Sequence, residues 1–322
     1  MKVISFSRRR AFQKTAERLG KEGEAVQFGR CDSVLCLFVS AEQYERCHHL
    51  LPATAQVEEN ICVRVHSHQV IPWGIKKIGA PKLWKETMGK GVKVAVIDTG
   101  IVRTHPDLRG RVRGSADFVG GNIVDRRGNG GHGTHIAGTI AALDNQIGVV
   151  GVAPQVSLYD VRAFDSDGVG ELAAIVKGID WAITNKMDII NMSFGMVGDS
   201  PALHAAIKRA SAAGIFLVAS AGNNGGEIEF PARYPEVIAV GASTKQGELA
   251  AFSARGHGLD VIAPGVSILS TWPRKTYKKL SGTSMAAAHI SGLVALQLAE
   301  SRKKGRKGKR LLNKQACLRL IR

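Results

Sequence analysis

Three side chains in this sequence have the types and settings needed for acyl transfer. Asp98 closes the apolar run Val94-Ala95-Val96-Ile97, His132 sits in Gly131-His132-Gly133-Thr134-His135, and Ser284 in Gly282-Thr283-Ser284-Met285-Ala286. A carboxylate, an imidazole and a hydroxyl are the minimum set for acyl transfer through an activated nucleophile. Each alone says little, since an aspartate ending a strand is usually a cap. Glycines around His132 and before Ser284 allow tight turns and close substrate approach. The chain order Asp, His, Ser is one of three in which such a set is built.

Those residues must be held by elements, and from residue 92 the pattern alternates. Apolar runs at 92–97, 156–164, 188–194, 215–221 and 237–240 read as strands. Helical spacing covers 132–143, 171–184, 201–213 and 284–300, with Pro201 suited to a first helical turn. Alternation of this kind predicts an α/β fold, a parallel sheet with helices on both faces. Ligands then belong at the carboxyl ends of the strands, where Asp98 stands. Residues 1–68 read differently, as β-α-β-β-α-β, the order of a small ferredoxin-like unit. His66-Ser67-His68-Gln69 and Pro72 break that pattern and suit an exposed linker.

The 322 residues are 44% hydrophobic and 22% charged, enough apolar material for a large core, which excludes disorder for most of the chain. No apolar run approaches the ~18 residues of a membrane span. Met1 to Ser7, followed by Arg8, Arg9 and Arg10, is too short and wrongly flanked for a signal peptide. The net charge of +17 is uneven: residues 1–68 carry +2, residues 69–301 carry +5, and 302–322 carry +10. That basic tail lacks aromatic interleaving and groove-reading motifs, so nucleic acid is not the expected partner. Five cysteines, four of them before residue 69, have no C-x-x-C spacing and suggest neither zinc nor a disulfide framework.

In family order, the motifs Val94-Ala-Val-Ile-Asp-Thr-Gly100, Gly131-His-Gly-Thr-His135, Asn191-Met-Ser193, Ala221-Gly-Asn223 and Gly282-Thr-Ser-Met285 resemble those of the subtilisin-like serine proteases. The resemblance runs from about Gln69 to about Leu298 and implies a serine endopeptidase. Ser284 is then the nucleophile, His132 the general base and acid, and Asp98 the carboxylate that orients it. Asn223 and the Ser284 N–H are implied as oxyanion donors. Gly168-Val169-Gly170 and Ser193-Phe194-Gly195 are similar to the family's two edge strands for an extended peptide. Leu143, Asn145, Ile147 and Val149, joined by Gln69 and Asp107, resemble its structural calcium (Ca2+) loop. Residues 1–68 look like its inhibitory prodomain, removed near His68–Gln69 with Val65 in the cleft, residues 69–301 like its catalytic domain, and 302–322 are a basic tail. A prodomain of this kind favours an extracellular setting, while the missing signal and the four cysteines before residue 69 suit a reducing cytosol. A monomer is expected, acting on protein substrates with its own prodomain as inhibitor.

Four features depart from the pattern. Ala288 stands where a proline is usual, Gly258 where a second cation site commonly has an acidic ligand, and the resemblance fades after Leu298. Alignment on Asn223 and Pro231 puts Glu229 near the floor of the primary specificity pocket, where relatives carry a small neutral residue. A slip of one residue sends the same carboxylate to solvent. Two other functions compete. One is a peptide-binding scaffold of the same fold with impaired catalysis. The other is a metallohydrolase on His105, Asp107, His132 and His135, which lacks the acidic base of H-E-x-x-H.

Overall fold

The structure, a computed structural model, describes residues 1–22, 26–59, 69–119, 131–305 and 314–315. It divides into two compact units, Met1–His66 and Ser67–Arg322. The expected cut at His68–Gln69, Val65, Cys62 and Cys317 lie outside the described residues or at their edge.

In the first unit, β1 (Lys2–Ser5), α1 (Arg9–Lys21), β2 (Phe28–Cys31), β3 (Cys36–Val39), α2 (Ala41–Cys47) and β4 (Gln56–Glu59) follow the expected order. All pairings are antiparallel, in the order β2-β3-β1-β4. Helix α1 turns Phe12, Ala16 and Leu19 onto the sheet, where they meet Ile4, Leu37 and Val39. Ser40 caps α2 reciprocally with Gln43.

The second unit opens with two short helices, α3 (Trp73–Lys77) and α4 (Ala80–Leu83), and then β5 (Lys93–Asp98) and β6 (Val112–Asp117). After them come α5 (Gly131–Ala141), β7 (Ser157–Arg162), α6 (Leu172–Thr184), β8 (Ile189–Met192), α7 (Pro201–Ala212), β9 (Phe216–Ser220), β10 (Ile238–Ser243) and β11 (Val261–Pro264). The hairpin β12 (Ile268–Trp272) and β13 (Thr276–Leu280) leads into α8 (Thr283–Lys303). Seven strands form one parallel sheet, β11-β10-β9-β8-β5-β7-β6. This is the α/β fold expected from the alternation. Along β5 the side chains alternate faces: Val94 and Val96 join the core under α5 and α8, while Ala95 and Ile97 join the core under α6 and α7.

Sequence periodicity missed β6, β11 and the β12–β13 hairpin. Their residues are short or polar, and β13 reads Thr-Tyr-Lys-Lys-Leu with four of five exposed. The end of the domain also moves. Helix α8 runs past residue 301, and Arg302 pairs with Asp188 through both guanidinium nitrogens and donates to Gly91 O at 2.8 Å. Asp188 in turn accepts from Lys93 N at 2.9 Å, so the helix end is tied to the start of the strand that carries Asp98. Farther on, the Lys314 ammonium meets Asp260 at 2.7 Å and donates to Pro235 O at 3.2 Å. Basic residues counted with the tail by charge therefore contact the folded domain.

Candidate active site

Asp98 ends β5 at its carboxyl end and is 3% exposed. Its two oxygens lie 2.8 and 2.9 Å from Nδ1 of His132. Every residue of α5 except His132 is buried, so the helix presents this one ring to the cleft. Gly133 N donates to Thr99 Oγ1 at 3.1 Å, which ties the helix start to the strand end. Burial pulls the imidazole pKa down, but the Asp98 charge and hydrogen bond more than reverse it, and the net value is raised. With Nδ1–H donated to the carboxylate, Nε2 is left as the basic nitrogen.

Ser284 is the second residue of α8, a helix apolar on all sides and buried through the middle of the domain. Its hydroxyl donates to Ser193 O at 3.2 Å, and Ser193 Oγ donates back to Ser284 O at 3.3 Å. Among the described residues no hydrogen bond joins Ser284 to His132. In free enzymes a nucleophile–base bond is commonly long and tightens with substrate. Ser193 is itself held from behind, because Asn191 Nδ2 donates to its Oγ at 2.8 Å and Ser291 Oγ to Asn191 Oδ1 at 2.9 Å.

Asn223 follows β9. Its Oδ1 accepts from Thr283 N at 2.9 Å and Thr283 Oγ1 at 3.0 Å, which leaves the Nδ2 end as a donor beside the first turn of α8. The N–H groups of that turn have no intrahelical partner. Gly222, at φ +115°, makes the bend that brings Asn223 there. Sequence reading did not assign work to Asn191, Thr283 or Ser291. The first two lie inside motifs already noticed; Ser291 gives no local signal.

The two segments expected to bind a peptide are not strands. Neither 168–170 nor 193–195 pairs in a sheet, where the resemblance led us to expect edge strands. In the first, Asp165 N donates to Val169 O and Val169 N to Asp165 Oδ1, both at 2.9 Å, with Gly168 at φ +81°. Val169 itself is 67% exposed, and Gly170 lies tight against Ala163 O and the Phe164 ring. In the second, the Phe194 ring packs tilted at 41° against Phe164, centroids 4.9 Å apart.

Glu229 is half-buried, not out in solvent. Its N–H donates to Ala221 O at 2.9 Å, and its Oε1 accepts from Asn224 Nδ2 at 2.9 Å. The carboxyl group rests on Gly195 and Gly222: a Cβ on the first would stand 1.9 Å from Oε2, and on the second 2.7 Å from Cδ. Only glycine leaves room for that carboxylate, between the segment of Ser193–Gly195 and that of Asn223. Asn224, its partner, was not picked out from the sequence.

The proposed calcium ligands also converge. Gln69 Nε2 donates to Leu143 O at 2.6 Å, Asn145 Oδ1 at 3.3 Å and Val149 O at 3.1 Å. Buried Asp107 accepts from Asn145 Nδ2 at 3.2 Å and Val149 N at 2.9 Å, and Ile147 N donates to Asn145 Oδ1 at 3.2 Å. Among the described residues no three or more His, Cys, Asp or Glu side chains gather as a metal site. His105 and His135 give their Nε2 atoms to backbone carbonyls, Thr276 O at 3.1 Å and both Ile268 O and Lys278 O at 3.0 Å. Those rings are spent on structure, which removes the metallohydrolase arrangement.

A profile of the subtilase family matches residues 89–316. The chain belongs to the subtilase family. It is a subtilisin-like serine protease. It is 46% identical over 265 residues to the alkaline protease of Alkalihalobacillus alcalophilus, covering 82% of this chain and 68% of that one. Against subtilisin E of Bacillus subtilis the identity is 48% over 255 residues, 77% of this chain and 66% of the relative. Against subtilisin Savinase of Lederbergia lenta it is 48% over 230 residues, 71% and 84%. The family match continues past Leu298, where the motifs had faded. No helix among the described residues is long and apolar enough to cross a membrane.

Proposed function

We propose that this protease cleaves peptide bonds through an acyl-enzyme on Ser284, with His132 as general base and then acid, and Asp98 as its orienting carboxylate. The observation that carries this is His132 Nδ1 bridging both oxygens of Asp98 at a strand end, beside the helix whose second residue is Ser284. The carboxylate keeps Nε2 free to take the hydroxyl proton and stabilises the imidazolium that results. The Asn223 amide and the Ser284 N–H then meet the developing oxyanion, in a place where donors are already fixed and need no reorganisation. A fluorophosphonate should label Ser284 stoichiometrically. A folded chain left unlabelled supports the impaired scaffold instead.

Glu229 sets a preference for Lys or Arg before the scissile bond. Arg233 pairs with Glu227, and no cation among the described residues pairs with Glu229. A substrate ammonium or guanidinium entering between Gly195 and Gly222 would supply the missing charge in a partly desolvated place. Glu229→Ser should lower the ratio of kcat/KM for basic over large apolar residues by about tenfold or more, the scale of a charged hydrogen bond. A peptide-library profile of both enzymes checks this; equal ratios remove Glu229 from the pocket.

Calcium fits the loop at Gln69, Asp107, Leu143, Asn145, Ile147 and Val149. The oxygens of Leu143, Asn145 and Val149 already point at one donor, and a half-turn of the Gln69 amide presents Oε1 to the same point. One carboxylate, two side-chain amides and backbone carbonyls are hard ligands of the type calcium takes. The ion would brace the loop and leave the chemistry to the triad. Removing calcium with a chelator should lower the thermal midpoint by about 5–10 °C, the effect of an ion present at about 100 Kd. Asn145→Ala should abolish that calcium-dependent part, and an unchanged midpoint refutes the site.

Residues 1–68 act as an inhibitory prodomain, cut near His68–Gln69, in a protein that works outside the cell. A compact unit through His66 supports this. Mass spectrometry of active enzyme should find those residues detached, and active enzyme still carrying them covalently counts against the assignment.

A further inference from the structure

The β2–β3 hairpin of the first unit sets two cysteines face to face. Cys31 closes β2, Cys36 opens β3, and they are direct partners in the antiparallel register. Such partners project to the same face with Cα atoms about 4.5–5.5 Å apart, inside the ~4.4–6.8 Å that a disulfide spans. The intervening turn, Asp32 to Leu35, is held in place by Phe6 N donating to Leu35 O at 3.0 Å. Leu35 itself sits at φ +52°.

The surroundings distinguish these thiols from the third described cysteine. Cys31 and Cys36 are both partly exposed, while Cys47 is buried. Cys31 Sγ lies 3.4 Å from Ser33 Oγ, and that hydrogen bond, with the backbone at Val34, holds its thiol below the ordinary pKa. Cys36 donates to Val34 O at 3.4 Å. Burial pushes the Cys47 thiol up, away from reactivity. One accessible thiol is thus the more readily ionised of the pair, and a second faces it across the ladder, an attacking and a resolving cysteine.

We propose that Cys31 and Cys36 form a reversible dithiol–disulfide site whose oxidant is a low-molecular-weight disulfide of the glutathione class. The Cys31 thiolate attacks one sulfur of the small disulfide; a mixed disulfide forms, the old S–S bond breaks, and the departing thiolate takes a proton. Cys36 gives its proton to water and attacks Cys31 Sγ, forming the Cys31–Cys36 bond and expelling the second small thiol. The protein loses two electrons and two protons, and the small disulfide becomes two thiols. The pair is open in a reducing compartment and closes in an oxidising one. This holds whatever the first unit does to the second.

Full-length chain carrying Ser284→Ala, incubated with excess oxidised glutathione, alkylated and then digested with trypsin, tests it. Cleavage after Arg30 and Arg46 puts both cysteines in one peptide, Cys31–Arg46. That peptide should be lighter by two hydrogens and lose alkylation about tenfold until reductant is added. In Cys36→Ser the glutathione adduct should persist on Cys31. Full alkylation of both cysteines after oxidation, or linkage of either to another cysteine, overturns the proposal.

Discussion

Replacing Ser284 by alanine is expected to end peptide hydrolysis while the chain stays folded. In subtilisin itself, loss of the nucleophile costs about 10⁶ in kcat, and that magnitude belongs to the relative. What remains is the roughly 10³–10⁴-fold over water that binding and an oxyanion hole supply without a nucleophile. Stability should change little, because the side chain's one hydrogen bond goes to Ser193 O and such a bond is worth about 1 kcal/mol. The network from Ser291 through Asn191 to Ser193 survives the change, since it reaches residue 284 through its backbone carbonyl. Active-site labelling, steady-state turnover and a circular-dichroism spectrum on the same preparation separate loss of chemistry from loss of fold. Turnover above the residual level means that another residue is the nucleophile.

The fold's centre was legible in the sequence because buried parallel strands are unbroken apolar runs. Val94 to Ile97 face core on both sides, as a strand of a doubly covered sheet does. The hairpin β12–β13 was not legible for the opposite reason. Its strand Thr276–Leu280 is held by what lies across from it, His135 and His105 donating to the carbonyls of Lys278 and Thr276, and a periodicity reading sees only a polar stretch. At the proposed site, Asp98, His132, Ser284 and Asn223 stand out in the sequence by type and glycine context. Around Asn223 and Ser193 the support comes from Thr283, Asn191 and Ser291, and the Thr283–Asn223 and Ser291–Asn191 bonds span 60 and 100 positions along the chain. Glu229 shows the same limit. Sequence left two positions open for its carboxylate, and its contacts with Gly195 and Gly222 come from residues 34 and 7 positions away that no local pattern links to it.

Below pH 6.5 the catalytic unit is expected to lose stability steeply, for reasons that lie in two buried histidines outside the triad. His135 is fully buried with Nε2 between two backbone carbonyls, and His289, also fully buried, donates Nδ1–H to Met285 O at 2.8 Å. Among the described residues the other nitrogen of each has no hydrogen-bond partner. Burial is the main cause that pulls both down to about 4, against about 6.5 in an unfolded chain. The unfolded state therefore binds more protons between those values, so stability is flat above about pH 6.5 and falls as pH drops toward 4. Each ring contributes about 3 kcal/mol of loss at pH 4, and His105, lowered by the same desolvation, adds in the same direction. Asp160 opposes them. Burial raises its carboxyl to about 6, so its folded form binds the extra proton, and acidification returns about 2 kcal/mol. Raised His132 matters elsewhere, since its stabilisation is lost as pH climbs through its folded value. The net loss from the two rings and Asp160 is about 4 kcal/mol, a large part of a marginal stability. All four tryptophans, Trp73, Trp84, Trp181 and Trp272, lie in the second unit, so fluorescence-detected urea unfolding of the Ser284→Ala chain at fixed calcium reads this unit alone. Stability should fall between pH 6.5 and 4, more steeply in Asp160→Asn and less steeply in His289→Asn, whatever the level at pH 7. A flat profile, or a slope that both variants leave unchanged, would place the acid sensitivity outside these groups.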